Sequence, residues 1–229
     1  MPSHIATSPA KILFAFTITS LLLFGCSQSS EATPPPAAIT TETPIATNTP
    51  DTIRYSGAGN LIFLSIEENG HANLFVQSNR PQDLPLTRIT NGEWNDIAPA
   101  LSPDRTMIAF ASDRNGGYWD LFTMNLQSGD VTQITNTPEY DSAPSWSPDG
   151  QWLVFETYTN ENLEISVVSV NDRTQPIIPV TQDSASDHSP VWAPDGRHIA
   201  FISLRGGESD DVWLADLDLT GEDRYQNLS

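Results

Sequence analysis

From about residue 53 onward, short apolar runs alternate with polar turns at a nearly constant interval. The segment D-I-A-P-A-L-S-P-D over 96–104 returns as D-S-A-P-S-W-S-P-D-G over 141–150 and as D-H-S-P-V-W-A-P-D-G over 187–196, at spacings of 45 and 46 residues. An apolar triplet follows each: I-A-F at 108–110, L-V-F at 153–155 and I-A-F at 199–201. L-I-F at 61–63 reads as an earlier copy of that triplet. About eleven residues beyond each phenylalanine comes an acid or Asn before an aliphatic residue: Asn73-Leu74, Asp120-Leu121, Glu164-Ile165 and Asp211-Val212. Each unit closes on an aliphatic residue and a hydroxyl: Ile89-Thr90, Ile134-Thr135, Val180-Thr181 and Leu228-Ser229.

Such a unit predicts four short strands. The first carries Leu101, Trp146 or Trp192. The second is the apolar triplet, buried on both faces. The third alternates, as in V-W-L-A-D-L over 212–217, and the fourth is a short edge strand ending in Thr or Ser. The turn between the first two strands is dictated by its residues. Pro103, Pro148 and Pro194 preset φ, Asp104, Asp149 and Asp195 bond local backbone, and a glycine accepts positive φ. Arg105 stands where the other copies have that glycine. Four strands in about 45 residues, repeated, predict an all-β chain of β-propeller blades. Expected blades cover about 53–95, 96–140, 141–186 and 187–229.

These motifs resemble the TolB-type β-propeller repeat, a WD-repeat-like family. The three D-x-x-P-x-[WL]-[SA]-P-D copies and the closing aliphatic-Thr pairs carry the resemblance, which covers about 53–229. The first unit lacks the Asp-Pro signature, although I-R-Y at 53–55 fits a degenerate first strand. TolB itself carries an α/β domain before its propeller, and here a Pro/Thr-rich stretch stands in that place, so the chain is not read as TolB proper. Four units leave three outcomes open: a closed four-blade ring, an open arc completed by a second subunit, or a shortened product. Association or shortening is the expectation, since an open arc leaves apolar faces bare.

The N-terminus changes the picture of where the blades reside. Residues 12–25 form an apolar run of 14, too short for a bilayer, which needs about 20. It fits the core of a secretory signal over 1–25. L-F-G-C over 23–26 resembles a bacterial lipobox, with Phe24 bulkier than usual, and implies cleavage before Cys26 and acylation there. Cys26 is the one cysteine, so no intramolecular disulfide forms. Several acyl chains would hold the protein stably on a membrane. Residues 27–51 carry five prolines and six threonines and no aromatic residue, a composition too poor in apolar groups to fold. The lipidated cysteine and this linker make up 26–52. The expected product is a secreted lipoprotein, periplasmic or at the cell surface.

Charge narrows the partners. The chain holds 29 acidic residues against 10 basic ones, a formal net charge of -19, and its one lysine, Lys11, lies in the leader. Such a surface repels phosphate, so nucleic acid is not an expected partner, and membrane contact is expected through the anchor alone.

Candidate chemistry is sparse. His71, His188 and His198 lack the spacing of a metal motif, and no G-x-S-x-G elbow occurs. D-L-D-L-T-G-E-D over 216–223 clusters oxygens but departs from the calcium-loop order, so neither metal nor cofactor is expected. Asp96, Asp141 and Asp187 recur once per blade and are read as structural, bonding backbone amides in the loop entering each blade. Trp146 and Trp192 are read as packing between blades. Tyr118, Trp119 and Tyr158 lie in loops and are candidate contacts for a partner. The expected function is non-enzymatic binding of a protein or peptide in the cell envelope, with TolB resemblance implying protein partners. The alternatives are a small-molecule, carbohydrate-binding or enzymatic propeller acting in its central channel, and a remnant of a larger, for example peptidase-associated, propeller. Self-association to complete the propeller is a further expectation.

Overall fold

The computed structural model describes residues 60–80, 82–207 and 209–217. The leader, Cys26, the linker, the stretch 53–55, the closing pair Leu228-Ser229 and most of 216–223 lie outside them. Among the described residues, fourteen strands form four antiparallel sheets. The first holds β1 (Leu61–Glu68), β2 (His71–Ser78) and β3 (Thr87–Arg88). The second holds β4 (Asp96–Leu101), β5 (Met107–Ser112), β6 (Asp120–Asn125) and β7 (Val131–Gln133). The third holds β8 (Tyr140–Trp146), β9 (Trp152–Thr159), β10 (Asn162–Ser169) and β11 (Ile178–Pro179). The fourth holds β12 (Asp187–Trp192), β13 (His198–Ser203) and β14 (Asp211–Asp216). Each sheet is a meander in sequence order, and each packs on the next: β4 against β1 and β2, β8 against β4, β5 and β6, β12 against β8, β9 and β10. This is the arrangement of consecutive propeller blades.

Three apolar clusters fill the spaces between successive sheets. Leu74 and Val76 of the first blade meet Ile108, Phe110, Phe122 and Met124 of the second. Leu121 and Ala109 meet Trp146, Leu153 and Phe155 of the third. Ile165 and Val167 meet Trp192, Ile199 and Phe201 of the fourth. Because a middle blade is covered on both faces, its third strand is buried throughout, as in Asp120–Met124, where alternation was expected. Only β14 departs, with Val212 to Leu214 exposed.

Register corrects the first repeat. Phe63 sits opposite Val76, whereas Val154 sits opposite Val167 and Ala109 opposite Thr123. Phe63 therefore occupies the position of Val154, and Leu64, opposite Phe75, takes that of Phe110 and Phe155. The apolar run in β1 is long enough to hide a one-residue slip that pairing alone resolves.

Two local devices recur. Ala98, Ala143 and Ser189, each just before the proline of D-x-x-P, take φ of +52°, +50° and +54°, and strand pairing slips there into a bulge. The bulge shifts the strand's facing between the aspartate and the Leu or Trp. The closing threonines clamp the fourth strand to the third. Thr90, Thr135 and Thr181 accept from the amides of Leu74, Leu121 and Ile165 at 2.9, 2.9 and 2.8 Å.

Candidate functional site

Every meander places its connections at two ends. One end collects the Ser-Pro-Asp and Ala-Pro-Asp turns. Asp104 Oδ1 accepts from Ser102 Oγ at 2.6 Å and from the Thr106 amide at 3.0 Å. Asp149 Oδ1 does the same with Ser147 Oγ at 2.5 Å and the Gln151 amide at 3.0 Å. In the last blade Ala193 has no hydroxyl, and Asp195 instead accepts from the amides of Arg197 and His198 and meets His198 Nδ1 at 2.7 Å. These donors hold Asp104 and Asp195 below the usual carboxylate range, for Asp104 chiefly the Ser102 hydroxyl and for Asp195 chiefly the Arg197 amide. Gly150 and Gly196 lie beside Pro103 and Pro148 of the preceding turn, so these turns neighbour one another from blade to blade.

The other end collects the longer loops and the blade-entry segments, and here the repeat aspartates lie. Asp96, Asp141 and Asp187 are all fully buried. Their partners are side chains where backbone amides were expected. Arg114 reaches Asp96 Oδ1 at 2.7 Å, and Arg205 pairs with Asp187 and, at 2.6 Å, with Asp183. In both, the arginine Nε also donates to a serine two residues earlier, Ser112 or Ser203, at 3.0 Å. Arg114 lies 5.1 and 5.0 Å from the rings of Phe110 and Phe122, and Arg205 repeats this with Phe201 and Trp213. This Ser-x-Arg device escaped the sequence reading. Its signal was present, since Ser112 and Ser203 stand two residues after the repeat phenylalanine and the arginines four. The third blade has Thr157 and Thr159 at those places, and Asp141 accepts from Thr157 Oγ1 at 2.6 Å and Thr137 Oγ1 at 3.0 Å.

That substitution leaves a seam with two carboxylates and no arginine against them. Asp120 accepts from the Thr137 amide at 3.0 Å and from Gln133 at 3.0 Å, while Thr137 Oγ1 turns to Asp141. Burial pushes Asp120 upward. It pushes Asp141 upward too, with the charge of Asp120 adding to the effect. Glu164, hydrogen-bonded to Thr181 Oγ1 at 2.6 Å, is likewise raised by burial.

The same end carries the aromatic candidates. Tyr118 and Tyr158 are 56% and 50% exposed. Half-buried Trp119 lies edge-on to Tyr140 at 6.1 Å, and Tyr140 is the strand partner of Tyr158. The Tyr158 hydroxyl donates to the Glu161 carbonyl at 3.1 Å. Tyr118 and Trp119 lie in the loop between β5 and β6 as expected, but Tyr158 lies on β9 and not in a loop, and Tyr140, which the sequence reading passed over, links Trp119 to Tyr158. Trp146 and Trp192 lie in the inter-blade clusters, and Trp146 Nε1 donates to the Ala100 carbonyl of the preceding blade at 2.9 Å. Among the described residues, no three His, Cys, Asp or Glu side chains gather as a metal site would require. His198 is engaged by Asp195, and His188 lies 4.0 Å from Asp210.

Repeated antiparallel meanders of three or four strands, with apolar clusters between them, define β-propeller blades. Residues 120–224 match the TolB beta propeller domain. A search of curated proteins finds no match. Among solved structures, the chain is similar to TolB of Acinetobacter baumannii, with 24% identity and a TM-score of 0.61 over 71% of this chain and 40% of that one. It is also similar to TolB of Agrobacterium tumefaciens, with 22% identity and a TM-score of 0.57 over 73% of this chain and 60% of that one. An oligogalacturonate lyase of Vibrio parahaemolyticus shares the fold at 14% identity and a TM-score of 0.54, over 73% of this chain and 48% of that one. The chain thus spans less than two thirds of each.

Proposed function

We propose that this protein is a non-enzymatic lipoprotein of the cell envelope, anchored through Cys26, that binds a protein or peptide on the loop-rich end of its blades. The observation that carries the reading is the group in which Trp119 meets Tyr140 and Tyr140 pairs with Tyr158, with Tyr158 and the neighbouring Tyr118 at least half exposed. Aromatic rings with a polar tip are enriched where proteins meet, because they bury a large area at low entropic cost. Asp113, Glu139, Glu156 and Glu161 lie on the same loops or strand ends, which favours a partner with basic residues. The TolB resemblance adds the expectation of envelope protein partners.

The test is capture by in-cell cross-linking with the protein in its native membrane. Alanine at Tyr118, Trp119 and Tyr158 together is expected to abolish the captured partner while thermal stability is kept. Unchanged capture rejects the surface. Cys26→Ser is expected to move the protein from the membrane fraction to the soluble one, and retention in the membrane rejects the anchor.

A further inference from the structure

At the turn end, the Ser-Pro-Asp turn of the second blade and that of the third enclose a cavity of about 210 Å³. Pro103, Met107, Trp146 and Pro148 supply apolar walls, and Asp104 and Asp149 supply two carboxylates. Trp146 is buried and Met107 half-buried, whereas both aspartates and both prolines are exposed, so the acids lie nearer the mouth than the indole does. The volume falls below the roughly 300–1,000 Å³ of a small-molecule pocket, so the cavity suits one inserted side chain.

The repeat sets this seam apart. The place of Met107 is taken by the larger Trp152 in the third blade and by His198 in the fourth. His198 lies 2.7 Å from Asp195, and its neighbour Arg197 pairs with Asp216. Asp104 and Asp149 receive only uncharged donors from their own turns, the hydroxyls of Ser102, Thr106 and Ser147 and the amides of Thr106 and Gln151. Those donors fix the direction of each carboxylate and leave its charge without a cation. Arg105, exposed on the same turn as Asp104, makes no ion pair among the described residues.

We propose that this cavity is a binding site for an arginine side chain of a protein or peptide partner. Carboxylates from two neighbouring turns offer acceptors to the planar fork of guanidinium donors. The indole and the prolines offer apolar surface to the methylene stem and to the guanidinium plane, which is more weakly hydrated than an ammonium and stacks on aromatic faces. The formal charge of -19 draws a basic segment toward the chain at long range. Because both carboxylates are exposed, the contact is screened, and binding should weaken as salt is added. The site lies at the opposite end of the blades from the aromatic group around Tyr140, so the inference is independent of partner binding there.

The test is nuclear magnetic resonance of the full 229-residue chain in detergent, with isotopically labelled tryptophan and N-acetyl-arginine amide as the probe. The reporter is the Trp146 indole N–H, which donates to the Ala100 carbonyl and is assigned by its loss in Trp146→Phe. A saturable shift of that signal is expected, with little response to the citrulline analogue, which keeps the shape and lacks the charge. Asp104→Asn with Asp149→Asn should weaken the probe roughly three- to tenfold and keep the fold, because a carboxamide oxygen still accepts from the hydroxyls and amides of the turns. Met107→Trp, which copies the residue of the next repeat, should abolish the response by filling the cavity. The proposal is overturned by an unmoved Trp146 signal, by an equal response to citrulline, or by a response that survives Met107→Trp. A response that emerges only in Arg105→Gly overturns it as well, since the chain's own Arg105 would then be the occupant.

Discussion

A single residue type, the aspartate that opens each blade, is neutralised in two ways in this protein. Arg114 and Arg205 supply a cation to Asp96 and Asp187, and Asp141 receives only threonine hydroxyls. A buried carboxylate without a cation keeps its proton to higher pH. Burial raises Asp120, Asp141 and Glu164 in the folded chain. A raised carboxyl costs stability once ionised. The penalty is absent below its unfolded value near about 4 and grows as pH rises through the folded value. Asp104, Asp172 and Asp195 act oppositely, because their folded values are lowered and their contribution is lost only in stronger acid. The melting temperature is therefore expected to rise as pH falls from neutral toward the unfolded carboxylate value near about 4. In Asp141→Asn, calorimetry over the same range should give a visibly shallower rise, while an unchanged slope would remove this seam as the cause.

At the scale of the strand and turn, repeats are held by short-range chemistry that tolerates exchange. The turn at 102–106 keeps its Asp104 bonds although Arg105 must take φ of +63°, where Gly150 and Gly196 take +69° and +74°. A side chain in that region costs about 1–2 kcal/mol, partly offset in glycine by its greater unfolded entropy. Arg105→Gly should thus stabilise the protein by about 0.5–1 kcal/mol, read from chemical denaturation. A loss of stability would mean that the Arg105 side chain makes a favourable contact of its own. The same local logic explains the closing threonines, each of which satisfies the first aliphatic amide of strand three in its blade.

At the scale of the whole set of blades, stability comes from neighbours, because each apolar cluster takes residues from two sheets. Repeat arrays of this kind behave as units coupled through their interfaces. Trp146 ties the second blade to the third by burial and by its bond to the Ala100 carbonyl. Trp146→Ala is expected to cost about 3–5 kcal/mol, and to broaden the unfolding transition as the two sides uncouple. A sharp transition at a little-changed midpoint would show that this seam does not couple the blades.

Much of this was legible in the residues. The period of the D-x-x-P and Pro-Asp motifs, the apolar triplets and the closing threonines determined blade number, strand order and turn positions, because turns and edge strands are set by a few neighbouring residues. Local chemistry could not reveal what strands opposite each other decide. The one-residue slip of Phe63, the Ser-x-Arg clamps on Asp96 and Asp187, the uncompensated pair at Asp120 and Asp141, and the link that Tyr140 makes from Trp119 to Tyr158 all depend on register and on the next blade. So does the exposure of Val212 and Leu214. These residues read in sequence like those of every other blade, and only the position of a strand in the stack decides whether its apolar side is covered.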